Sequence, residues 1–73
     1  YYLNDDGNVT IEIYNIKGRK IYQFDEGYKN ADVMHSIQWN GLDSNANPVA
    51  SGLYFFKFKS GNWANIKKAI LMK

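Results

Sequence analysis

Val9-Thr10-Ile11-Glu12-Ile13-Tyr14 alternates apolar and polar residues without a break. Val9, Ile11 and Ile13 fall on one side, Thr10, Glu12 and Tyr14 on the other, the period of a half-buried β-strand. Asn15-Ile16-Lys17-Gly18 follows, with glycine where a short hairpin needs a left-handed residue, so Arg19–Phe24 reads as the returning strand. Ile21 and the pair Tyr22/Phe24 have opposite parity there, which predicts a bulge or burial on both faces.

Outward from this hairpin, turn signals recur at short spacing, as in all-β sandwiches and barrels. Tyr1-Tyr2-Leu3 reads as the tail of a strand. Asn4–Asn8 is a turn, and Asp25–Val33 is a polar loop crossing between sheets. Met34–Trp39 alternates again, with His35, Ile37 and Trp39 on one face. Asn40–Gly52, rich in Asn, Asp, Ser and Gly and carrying Pro48, is the longest loop. Leu53–Lys59 is the strongest strand signal: Tyr54, Phe56 and Phe58 point one way, Leu53, Phe55, Lys57 and Lys59 the other. Trp63–Met72 closes the chain as a last long strand. The expected fold is a small immunoglobulin-like antiparallel β-sandwich of six to seven strands without a disulfide, a single domain over residues 1–73. Trp39, Tyr54, Phe56, Phe58 and Ile11 are its expected core, each aromatic ring burying about 150–250 Å².

Composition narrows the function. The 73 residues are 45% hydrophobic and 16% aromatic, which excludes intrinsic disorder, and contain no cysteine, which excludes a disulfide framework. Nine Lys and Arg against seven Asp and Glu give a net charge of +2, too small and too scattered for a nucleic-acid footprint. No apolar run approaches the roughly 20 residues of a membrane span. The chain starts at Tyr1 and shows no signal peptide, as expected of a piece cut from a larger protein. Absence of cysteine suits a bacterial secreted or periplasmic protein.

Catalysis is not expected. A hydrolase triad needs nucleophile, base and orienting acid in hydrogen-bond reach, and His35, the sole histidine, shares a strand face with Ile37 and Trp39 while Ser36 points away. Metal binding has candidate ligands in Asp43, Asn45 and Asn47, because Asp43-Ser44-Asn45-Ala46-Asn47 matches the opening of an EF-hand loop. Pro48 stands where the loop's glycine belongs, however, and Tyr54 where its bidentate glutamate belongs. Asx-turns account for these residues without a metal, and no cofactor is expected. Tyr14 and Tyr22, paired across the hairpin with Tyr28 near by, would form a carbohydrate platform if they shared the outer face, but ordinary cross-strand packing is the favoured account of them. Asn8-Val9-Thr10 is a glycosylation sequon only in a eukaryotic secretory context. Lysines at the ends of the terminal strand, Lys67, Lys68 and Lys73, either guard an edge against aggregation or offer a feature that another protein reads.

Four stretches together carry a resemblance: Val9 through Gly18 to Ile21, then Trp39-Asn40-Gly41-Leu42-Asp43, then Val49 through Gly52 to Tyr54, and the closing Lys67–Lys73. They resemble the type A C-terminal sorting domain of the type IX (Por) secretion system and the related FlgD-type immunoglobulin-like domain of flagellar hook-capping proteins. Gly18, Trp39, Gly41, Asp43, Gly52 and Tyr54 are the structural motif, and the terminal lysine strand favours sorting over hook capping. The family often has glycine where Asn47 stands and ahead of the strand holding His35, where this chain has Asp32-Val33. Asparagine tolerates the left-handed region, so the pattern survives at Asn47. The resemblance implies a non-enzymatic domain that carries an upstream passenger in the same chain to the type IX translocon, and so to the cell surface by way of the periplasm. Lys67, Lys68 and Lys73 would be its recognition residues. A hook-capping or spacer domain, or a carbohydrate-binding module, are the alternatives.

Overall fold

The computed structural model describes residues 1, 3, 5–31, 34 and 38–72. Four strands are present among them: β1 (Gly7–Tyr14), β2 (Lys20–Lys29), β3 (Gly52–Ser60) and β4 (Trp63–Leu71). They form one antiparallel sheet in the order β2-β1-β3-β4, so the two hairpins β1–β2 and β3–β4 meet along a β1–β3 seam. The chain is all-β, but the described residues hold four strands in one sheet rather than six or seven in two. Two further strands expected from the sequence, at Tyr1–Leu3 and Met34–Trp39, fall partly on Tyr2, His35, Ser36 and Ile37, which lie outside the described residues.

One face of the sheet carries the core. Val9, Ile11 and Ile13 of β1 are buried, with Tyr54 and Phe58 of β3 and Leu3 from the N-terminal segment. Ile11 and Ile13 are fully buried, each contributing on the order of 1.5–3 kcal/mol of transfer free energy. β1 is so apolar on this face because it is central: β2 and β3 flank it, and Ile11 lies opposite Phe24 on one side and Phe58 on the other. Tyr1 packs on Phe58 with ring centroids 5.0 Å apart.

The bulge foreshadowed by the parity of Ile21 is present. Ile13 pairs with Tyr22 and Tyr14 with Lys20, leaving Ile21 out of the ladder and turning Tyr22 and Phe24 to the core face. Their rings meet edge-on at 4.9 Å. This corrects the expected outer pairing of Tyr14 with Tyr22: the two lie on opposite faces, so they form no common platform. A second register shift, between Val9↔Gly27 and Thr10↔Asp25, leaves Glu26 unpaired. Beyond it β2 continues to Lys29, through residues expected to be loop. An edge strand with one wet face tolerates polar side chains, and the backbone of Gly7–Val9 supplies partners for this extension.

Candidate functional site

The motif residues of the long loop converge at one end of the sheet. The Trp39 indole packs edge-on against Tyr54 (5.1 Å, 71°) and Phe56 (5.9 Å, 78°) and donates its Nε1–H to Leu42 O at 2.9 Å. The Tyr54 hydroxyl donates to Ala50 O at 2.6 Å, tying the end of the loop to the strand that follows it. Gly41 is buried with φ 77°, and its carbonyl accepts from Val49 N at 3.0 Å. Tyr54 is buried, whereas Trp39 and Phe56, expected in the core, are only half-buried; with the polar ends of Trp39 and Tyr54 satisfied by backbone carbonyls, this corner is a clamp that fixes the loop on β3.

Asp43 organises the loop tip. Its Oδ1 accepts from the backbone N–H groups of Asn45 and Asn47, both at 2.9 Å, while Asp43 N donates to Asn47 O and Ala46 N to Asp43 O. Asn15 does the same in the β1–β2 turn: Oδ1 accepts from Lys17 N and Arg19 N at 3.0 Å, Asn15 N donates to Arg19 O, and Gly18 N to Asn15 O. The two five-residue loops therefore share one hydrogen-bond pattern. In each the fourth residue is left-handed, Gly18 at φ 82° and Ala46 at φ 63°. The left-handed position is thus Ala46 and not Asn47. The loops also touch, because Ser44 donates to Ile21 O from its backbone N (2.9 Å) and from its Oγ (3.1 Å). Gly52 has φ 153°, and at neither Gly18 nor Gly52 would a Cβ meet another atom within 4 Å, so backbone conformation and not space calls for glycine.

The arrangement bears on the candidate metal ligands. Asp43 Oδ1 already serves two backbone donors, and the side chains of Asn45 and Asn47 belong to exposed residues at the loop tip. Among the described residues no three His, Cys, Asp or Glu side chains are grouped to hold a metal ion. His35 and Ser36 lie outside the described residues.

The outer face, away from the core, has its own centre at Glu12, which is only 7% exposed. Its carboxylate accepts from the Tyr14 hydroxyl at 2.8 Å and forms ion pairs with Lys20 and Lys59, each at 3.4 Å. Burial by itself pushes this carboxyl up, but the hydrogen bonds from Tyr14 and Lys59, the Lys59 charge and the Lys20 bond outweigh it. Glu12 is held below the usual carboxylate range. Tyr14 moves the other way, raised by its bond to Glu12 and then by burial and the Glu12 charge. Across the sheet Tyr1 is pushed up to about 12 by burial, then by the charge of Glu26 and a 3.3 Å hydrogen bond to it. Sequence alternation places Glu12 on this face, but only the flanking register brings Gln23, Lys20 and Lys59 around it.

β4 lies at an edge of the sheet, hydrogen-bonded only to β3 among the described residues. Lys67 stands opposite Phe56 on the core face and Lys68 opposite Phe55 on the outer face, both exposed. Lys73 lies outside the described residues. The recognition lysines that the sequence suggests are therefore split between the two faces. Ile66 and Ile70, which share the outer face with Lys68, are exposed too. No helix among the described residues is long and apolar enough to cross a membrane.

A family model described as the FlgD Ig-like domain matches residues 2–62, which takes in β1, β2, β3 and both five-residue loops, with β4 beyond the matched stretch. Comparisons with curated proteins and with solved structures give no match.

Proposed function

The chain belongs to the FlgD Ig-like domain family, and on that premise we propose that it is a non-enzymatic C-terminal sorting domain of the type IX secretion system. In this reading it follows a secreted passenger in the same chain and delivers it through the outer-membrane translocon to the cell surface. In this reading the four-stranded sheet is part of an immunoglobulin-like sandwich, as the family match suggests.

The observation that carries the reading is β4, an edge strand paired only with β3 among the described residues and displaying Lys67 and Lys68 on opposite faces. Open edges are normally blunted because they invite pairing with other chains. One kept long and studded with isoleucine as well as lysine suits recognition by strand addition. A hook-capping or spacer role is the second reading, favoured by the family match itself. The opposed positions of Tyr14 and Tyr22 speak against a carbohydrate platform on the outer face.

The test is export. A reporter with a signal peptide, fused ahead of this domain, should reach the surface of a type IX-competent host. The triple variant Lys67→Gln, Lys68→Gln, Lys73→Gln should leave it in the periplasm while melting like the parent, since exposed substitutions usually move stability by less than about 0.5 kcal/mol. Export of the folded triple variant rejects the lysines as the signal. Failure of the intact fusion rejects sorting and leaves the structural role.

A further inference from the structure

The outer face of the sheet carries more exposed apolar surface than its position at a wet face calls for. Register sets Leu53 beside Ile70, and Lys57 beside Ile66, while Phe55 lies between Tyr14 and Lys68. Ile16, Ile66 and Ile70 are 69%, 60% and 72% exposed. Tyr14, Ile16, Phe55, Lys57 and Ile66 line a groove of about 500 Å³ that opens onto β4. Exposed apolar side chains beside a sheet edge give another chain both a groove and a backbone to meet.

Charge and backbone together select the occupant. Glu12 is taken up by Lys20 and Lys59, whereas Lys57, Lys67 and Lys68 have no acidic partner among the described residues. A second copy fits badly on either edge. Antiparallel self-pairing centred on the middle of β4 sets lysine against lysine, and the β2 edge is bulged at Ile21 and Glu26, with Ser44 already bonded to Ile21 O. A lipid surface would meet the lysines and isoleucines but could not satisfy the backbone N–H and C=O groups along the β4 edge.

We propose that β4 and the adjoining outer face bind an extended acidic segment of another protein, added antiparallel to β4. Antiparallel pairing puts residues of the same face opposite one another. Ile70, Lys68 and Ile66 then call for apolar, acidic and apolar partners on the outer face, and Lys67 for an acid on the other. Read from its N-terminus, the partner follows the pattern apolar–any–acidic–acidic–apolar. The proposal rests on β4 being the recognition strand, but it requires neither export nor a translocon.

The probe is the blocked peptide acetyl-Thr-Val-Ile-Thr-Glu-Glu-Ile-Thr-Val-amide, titrated into the isotope-labelled domain and followed by amide chemical shifts. Shifts should concentrate on Ile66–Ile70 and Phe55, weaken with salt, and give affinity at least about tenfold above the same peptide with Lys-Lys for Glu-Glu, since like charges brought together oppose binding. The double variant Lys67→Glu, Lys68→Glu should reverse that preference. Should it fail to fold, the salt dependence and peptide preference of the parent domain still decide. Equal affinity for both peptides, absence of shifts at millimolar peptide, shifts confined to β2, or self-association that hides β4 would each overturn the proposal. So would co-sedimentation with phosphatidylglycerol vesicles that outcompetes the acidic peptide. Peptide binding without export would leave this inference standing while removing the sorting role.

Discussion

Ala46 occupies the position where its sister loop has Gly18, and the pair offers an internally controlled measurement of backbone strain. Both residues are left-handed, at φ 63° and 82°, in loops closed by the same four hydrogen bonds. A residue with a Cβ pays about 1–2 kcal/mol in that region. Ala46→Gly removes the penalty but gives back about 0.4–1 kcal/mol through the greater freedom of glycine in the unfolded chain. The net is a gain of about 0.5–1 kcal/mol, which for a domain of this size raises Tm by about 2–8 °C. Gly18→Ala runs the argument backwards. No atom lies within 4 Å of the added Cβ, so conformation alone should cost about 0.5–1 kcal/mol and lower Tm by about 2–8 °C. Circular dichroism melts and urea titrations of both variants would measure the two effects side by side. An Ala46→Gly protein that melts at or below the parent temperature would refute the reasoning, all the more if Gly18→Ala is silent.

Acid should destabilise the domain through Glu12. Its folded pKa lies below the ordinary value of about 4.3, so between the two the unfolded chain binds the extra proton. Stability is therefore complete above about pH 4.3 and falls as pH drops through the folded pKa. Glu12→Gln should flatten that part of the pH profile in urea titrations; an unchanged slope would remove Glu12 as its source. At the alkaline end Tyr1, raised to about 12, contributes stability below pH of about 10 that is lost as pH climbs towards 12, and Tyr1→Phe should be correspondingly flatter. Asp43 should behave as a cap and not as a ligand: Asp43→Asn, which keeps the accepting oxygen, should melt close to the parent, and Asp43→Ala should lose about 0.5–2 kcal/mol, by analogy with helix caps. EDTA and millimolar calcium should leave both melts in place, and a calcium-dependent rise of several degrees that Asp43→Ala abolishes would restore the metal reading.

The parts legible in the sequence were those under a two-sided constraint. β1 and β3 sit side by side at the centre of the sheet with one face buried, so every second residue had to be apolar, and Val9–Ile13 and Tyr54–Phe58 declare it. The irregularity at Ile21 was legible in part: two aromatics out of phase with an isoleucine called for a bulge or burial on both faces, and the register with β1 decides for the bulge. The tail of β2 was not, because Asp25–Lys29 is held by backbone pairing at an edge, where side chains carry little information. Ala46 was hidden by its identity. Alanine gives no hint of a positive φ, and the kinship of the two loops lies in backbone hydrogen bonds accepted by one Asx side chain, with no other residue shared. The terminal lysines could be picked out, but their division between faces follows from register with Phe55 and Phe56. The apolar stripe beside Lys68 requires the sheet order that places Ile66 and Ile70 at an edge.

The order of strands in the sheet also sets a timetable. β1, the most buried strand, draws one neighbour from the residues just after it and the other from beyond the long loop. A hairpin such as β1–β2 closes in about 1–10 μs, yet two strands alone are marginal in water. During synthesis at about 5–20 residues per second, the stretch from Lys29 to Ser60 takes seconds to arrive. Throughout that interval Ile11 and Ile13 have half a sheet and no β3 against which to bury. The nascent hairpin is thus a hydrophobic surface that waits for Leu53–Lys59 several orders of magnitude longer than its own formation time.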